Sequence, residues 1–94
     1  MEIIWRRAAL NDLGAIREFI PQDNPAAAIR VRDAIRTAVE RLAQHPNLGR
    51  AGRVDGTREL VLPNAPYIVA YRVVENEVRI LAVIHTSRQW PQRL

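Results

Sequence analysis

Ala28, Val31, Ile35, Ala38 and Leu42 step along the chain by three and four residues. That spacing puts all five on one side of an α-helix, while Arg30, Asp33, Thr37, Glu40, Arg41 and Gln44 fall mostly on the other. A stripe of this kind has to be buried against a second layer, so it commits the chain to a helix packed on something. The spacing predicts a helix over 26–44. Asp23-Asn24-Pro25 opens it with a capping side chain and a proline in the first turn, and His45-Pro46 with Gly49 closes it. A shorter helix is predicted over 8–20, where Leu13, Ile16 and Ile20 share a face and Pro21 stops the run. The connection between the two is a few residues, which implies an antiparallel hairpin. Ala28 and Ala38 are small enough to let the partner approach closely.

After Gly56 the apolar period changes from 3.6 to 2. Strands are predicted over 57–62, ended by Pro63, then over 67–74 and 78–84, with Glu75-Asn76-Glu77 as the tight turn between the last two. Near their middles these last two strands are apolar on both faces, the pattern of central strands covered by the helices on one side and partly covered on the other. Glu2–Trp5 is a further short strand, expected beside the later ones. The order β-α-α-β-β-β gives an α+β class: one domain over 1–94, an N-terminal strand, and an antiparallel helix hairpin packed on a twisted, mainly antiparallel β-sheet. Met1 and the Ala28–Leu42 stripe are expected in the core.

Composition narrows the chemistry. With 94 residues there is room for a single core. There is no cysteine, so disulfides and thiolate metal sites are excluded, and no metal or cofactor is expected. No apolar run is long enough to span a bilayer, and the first residues lack a secretory pattern; the cytoplasm is the expected compartment. All 14 basic residues are arginine, and the net charge is +4. Residues 46–94 hold seven arginines against four acids, while residues 1–45 hold seven against six. An anionic partner is therefore expected to meet the second half. Arginine's planar fork suits phosphate and carboxylate alike.

Four segments, in order, resemble the RelE/ParE toxins of type II toxin–antitoxin systems. They are Trp5-Arg6-Arg7-Ala8-Ala9 through Leu13, then His45-Pro46-Asn47-Leu48-Gly49-Arg50, then Arg58-Glu59-Leu60 with Tyr67-Ile68-Val69-Ala70-Tyr71-Arg72-Val73, and Ile80-Leu81-Ala82-Val83-Ile84-His85 with Arg88 three further on. The resemblance implies a cognate antitoxin that wraps and silences the chain in a hetero-oligomer. It also implies one of two targets. The ParE-like branch poisons DNA gyrase, and binding alone suffices for that. The RelE-like branch is an endonuclease that cuts mRNA on the ribosome, which requires cations around the scissile phosphate and a group to move a proton. In that branch the strand matching 67–74 commonly reads Arg-Leu-Val-Tyr, with the arginine on the phosphate. Here Ile68-Val69-Ala70-Tyr71 puts Ile68 in the arginine's place, and the sole acid–base candidate, His85, falls about two residues early. The sequence is thus closer to the ParE branch. A generic RNA-binding module is a further alternative, although the paired exposed aromatics of such modules are missing.

Target-binding candidates are Arg50, Arg58, Arg72, His85 and Arg88. If the chain is a nuclease, Arg58, Arg72 and His85 would be its catalytic set. Trp90 and Arg93, in a tail without acids, are candidate antitoxin contacts. Each has a plainer reading. Arg50 could complement the negative end of the second helix. Arg72 could pair with Glu59 or Glu77 across the sheet, and Arg58 could likewise serve only the fold. His85 could be a hydrogen-bonded strand end, and Trp90 could simply pack on the domain. Tyr67 and Tyr71 are expected to be packing residues.

Overall fold

The computed structural model describes residues 1–16 and 24–94. The elements run β1 (Glu2–Trp5), α1 (Arg7–Gly14), α2 (Pro25–Glu40) continued by a single 3₁₀ turn (Arg41–Ala43), β2 (Arg50–Ala51), β3 (Arg58–Val61), β4 (Tyr67–Val74) and β5 (Glu77–His85). The expected β-α-α-β-β-β order holds, with β2 added as a two-residue strand between the second helix and the strand predicted over 57–62. The expected helix end over 17–20, its stop at Pro21 and the linking turn fall outside the described residues. At α2 the predicted start is seen: Asn24 is the cap, its Oδ1 accepts the Ala27 N–H at 3.3 Å, and Pro25 begins the helix. The α-helical part is shorter than the periodicity predicts because its last turn tightens to 3₁₀ before Pro46.

Five strands form one sheet in the order β1-β5-β4-β3-β2. β2, β3, β4 and β5 pair antiparallel, and β1 pairs parallel to β5, with Trp5 opposite Ile80. The sheet is therefore mixed, and β5, the last strand in the chain, lies inside it. A register shift at Ala70/Tyr71 leaves Leu81 as the extra residue of β5 between Ile80 and Ala82.

Alternation along the strands divides the apolar residues between two faces. The inner face carries Leu60, Val69, Tyr71, Val78, Ile80 and Val83 into a core shared with Ala9, Leu13 and Ile16 of the first helical segment and Ile35, Val39 and Leu42 of the second. Val39 is fully buried although it lies outside the 3–4–3–4 stripe, while Val31 and Ala38 of that stripe are only partly buried. Met1, expected in the core, is 46% exposed: it precedes β1 at the sheet's edge. On the outer face Ala70, Ala82 and Ile84 form a second, smaller cluster under Trp90 and Leu94. This is the partial second covering that the two-sided apolar pattern of β4 and β5 predicts.

Candidate functional site

Residues on the outer face alternate with core residues, and this alternation places the arginines. Arg72 follows the fully buried Tyr71, and Arg79 lies between the buried Val78 and Ile80. The register sets Arg72 directly opposite Arg79. Arg79 is neutralised by Glu77, its Nε donating to Oε1 at 2.9 Å. Arg72 pairs with neither Glu59 nor Glu77 and has no hydrogen bond or ion pair among the described residues. Glu77 is taken by Arg79, and Glu59 is held elsewhere. Like charges facing each other across a ladder are destabilising. The guanidinium of Arg72 instead lies beneath Gly56, whose φ of +77° leaves a space that a Cβ would fill 2.8 Å from Nη1.

Toward the β2 edge, Glu59 organises the loop. Its side chain is 2% exposed, and it accepts from Arg50 Nε (3.2 Å) and Nη2 (3.0 Å) and from the Arg53 backbone N–H (2.8 Å) and Nε (3.1 Å). Burial pushes its pKa up, but the hydrogen bonds and charge of Arg53, with Arg50, outweigh that and hold the carboxyl below the ordinary glutamate range. The sequence singled out neither Arg53 nor this role for Glu59. The signal would have been an acid two residues before apolar Val61 on a strand, flanked by arginines across a glycine-containing turn. Arg50 thus spends its charge on Glu59 rather than on the helix end. Arg53 also lies 3.9 Å from the centre of the Trp90 ring, a cation–π stack.

Arg58 belongs to the other side of the sheet. It sits opposite Tyr71, and its Nη1 donates to Gly49 O at 2.8 Å. Tyr71 is the centre of that junction: its hydroxyl donates to Pro46 O (2.7 Å) and accepts from the Gly49 N–H (2.8 Å). Burial raises the Tyr71 pKa, against the lowering effects of the Gly49 bond and the Arg58 charge; burial also raises that of Tyr67. Both tyrosines are packing residues, as expected. At Gly49 a Cβ would meet the Tyr71 hydroxyl at 2.7 Å and Glu59 O at 2.9 Å, so only glycine lets the 46–50 segment pass this close to the sheet.

His85 ends β5. Its Nδ1 accepts the Ser87 N–H at 3.1 Å and lies 2.7 Å from the Ser87 hydroxyl, and its ring meets Tyr67 edge-on at 5.1 Å. Arg88 donates its backbone N–H to His85 O at 3.0 Å and keeps an exposed side chain. Ile68, in the place of the nuclease arginine, is 7% exposed. Trp90 packs on the sheet, and Arg93 is exposed. The structure therefore gathers Arg50, Arg53, Arg72 and Arg79 around the outer face and leaves Arg58 at the inner junction. Among the described residues no cluster of three or more His, Cys, Asp or Glu could hold a metal ion, and no helix is long and apolar enough to cross a membrane.

Comparison with known proteins adds sequence-wide likeness. Residues 3–90 match the family described as the ParE toxin of the type II toxin–antitoxin system parDE. A toxin candidate of Sinorhizobium fredii, Y4kP, is 49% identical over 98% of this chain and 95% of its own length. Toxin RelE2 of Caulobacter vibrioides is 36% identical over 93% of this chain and 97% of its own. A structure from the chromosomal ParDE TA system of P. aeruginosa superposes with a TM-score of 0.83 at 31% identity, covering 93% of this chain and 97% of that one.

Proposed function

The chain belongs to the ParE toxin family of type II toxin–antitoxin systems, and from that premise we propose that it arrests growth by binding and poisoning DNA gyrase through the outer face of its sheet. Membership in such a system implies an antitoxin partner. The toxin–antitoxin hetero-oligomer, with Trp90 and Arg93 among its contacts, is part of the same proposal, as are a cytoplasmic setting and a single toxin domain over the chain.

One observation carries the choice of face. Arg72 stands unneutralised among the described residues and directly opposite a second arginine, on a surface whose other arginines converge. Glu77 answers the charge of Arg79, so the unanswered charge on this face is that of Arg72, and an anionic partner would complement it. Arg50 and Arg88 are placed by the same reading at the rim, whereas His85, the target-binding candidate at the end of β5, sits against Tyr67 on the inner side. Arg58 supports the site from behind through Gly49.

A second reading stays in view because one close relative carries the name RelE2. As a ribosome-dependent mRNA endonuclease the chain would need Arg58, Arg72 and His85 to act together. Two placements argue against it: Ile68 offers no charge where the nuclease arginine belongs, and Arg58 is turned to the opposite side of the sheet from Arg72. The test is induction in cells with separate readouts for DNA breaks and mRNA ends, comparing wild type with Arg72→Ala. Breaks in the wild type, lost in a well-folded Arg72→Ala, are expected. New mRNA ends without breaks would overturn the gyrase reading in favour of the nuclease.

A further inference from the structure

Past β5 the chain turns back over the outer face. The turn itself is anchored: Thr86 N–H donates to Pro66 O at 2.9 Å, and Arg88 N–H donates to His85 O at 3.0 Å. Beyond Arg88, residues 89–94 make no backbone–backbone hydrogen bond to the other described residues. They are held by side chains alone. Trp90 and Leu94 rest on Ala70, Ala82 and Ile84, and Arg53 stacks on the Trp90 ring. The attachment is incomplete in two ways. The Trp90 indole N–H is buried without an acceptor among the described residues, which costs free energy in the closed arrangement. Between this segment and α1 a groove of about 510 Å³ remains open, lined among others by Asp12, Arg88, Gln89 and Gln92.

What lies beneath is a strip of small and branched apolar residues flanked by Arg50, Arg53, Arg72 and Arg79. We propose that residues 89–94 are a displaceable strap, and that the face beneath it takes an acidic segment of the target with an apolar side chain at its centre, seated where Trp90 rests in the free protein. The inference rests on the assignment of this face to the target and supplies its regulation. The charge decides the occupant: Glu59 offsets one of the two charges of Arg50 and Arg53, Arg72 has no acid among the described residues, and the strap, which carries Arg93 and no acidic side chain, adds none. A target segment bringing carboxylates would satisfy it. While the strap is seated, the face is available only for the fraction of time that the strap is open, and apparent affinity falls by that fraction.

The test uses the full chain with Trp90→Ala and Leu94→Ala together. Neither side chain contributes to the main core, so circular dichroism should match wild type. The first probe is 8-anilinonaphthalene-1-sulfonate, an aromatic anion whose chemistry matches the exposed strip and its arginines. The double variant should bind it about three- to tenfold tighter than wild type, in keeping with release of one cation–π-clamped strap. Adding Arg72→Glu should cancel the gain. Equal dye affinity in wild type and variant, or a gain indifferent to Arg72→Glu, overturns the strap. The second readout is inhibition of supercoiling by purified gyrase, where the variant should act at a several-fold lower concentration. A variant that inhibits gyrase less well than wild type would make the segment part of the contact rather than its cover, and the proposal fails. If neither protein affects gyrase while the dye result holds, the gyrase reading fails and the strap stands.

Discussion

Replacing Tyr71 by Phe isolates the contribution of one oxygen atom. The ring is fully buried and would stay packed, so no cavity forms. The hydroxyl both donates to Pro46 O at 2.7 Å and accepts from Gly49 N–H at 2.8 Å. Phe removes two hydrogen bonds, each with a net value of about 1 kcal/mol, and the Gly49 N–H, left buried without an acceptor, carries a desolvation penalty within the range of about 1–3 kcal/mol. The losses overlap, because part of the bond's value is the avoided penalty, so the expected cost is about 2–3 kcal/mol. For a domain of this size that corresponds to a fall in Tm of about 10–20 °C. The effect should also be local. Gly49 O is the acceptor of Arg58 Nη1, and Arg50 follows immediately, so the 46–50 segment and both arginines should loosen together. Equilibrium unfolding in urea gives the first quantity, and hydrogen exchange at the Gly49 amide gives the second. A cost below about 0.5 kcal/mol with Gly49 protection unchanged would refute the idea that this hydroxyl pins the segment to the sheet.

Three other perturbations test separate parts of the account. Ile35→Ala, at a fully buried site between α2 and the sheet, should cost about 2–5 kcal/mol by leaving a cavity; an unchanged unfolding midpoint would mean that the helix packs differently. Because the folded-state pKa of Glu59 is lowered, its contribution is fully present above the ordinary carboxylate pKa and is lost as pH falls through the lowered value. Glu59→Gln should therefore lower stability near neutrality by about 1–2 kcal/mol, discounted because the Arg50 and Arg53 side chains remain 58% and 49% exposed, and should flatten the acid limb of the stability profile; parallel wild-type and variant profiles would contradict this. His85→Ala should keep most of the toxicity, since the ring is engaged by Ser87 and Tyr67; complete loss in a folded variant would reinstate acid–base chemistry.

Much of the architecture could be read from periodicity. The α2 stripe, the Asn24-Pro25 start and the change to alternating strands at β3–β5 are local signals, and local signals survive folding. The burial of Val39 was not legible, because a stripe drawn for one flat partner is narrower than the surface a twisted sheet presents. Nor was the exposure of Met1, which depends on β1 lying at the edge. The arginines divide in the same way. Alternation from Tyr71 places Arg72 outward without further information. That Glu59 would be claimed by Arg50 and Arg53, leaving Arg72 without an acid among the described residues, depends on β2 pairing across a glycine turn, and no one-dimensional pattern contains that. Trp90 was readable only as an aromatic in a tail, because its seat exists only once β4 pairs with β5 and because the Arg53 that stacks on it comes from a loop distant in sequence.

The position of β5 has a consequence for the order in which the protein comes into being. Among the described strands this one is synthesised after all the others, yet it separates β1 from β4, so the opening segment has no neighbour to join until residues 77–85 have been made. A nascent chain stalled before residue 77 holds a three-stranded fragment and an unattached leading segment, with no partner opposite Arg72. The face proposed to meet the target is assembled only once β5 has been made, so a partner that is already present precedes the surface it would have to cover.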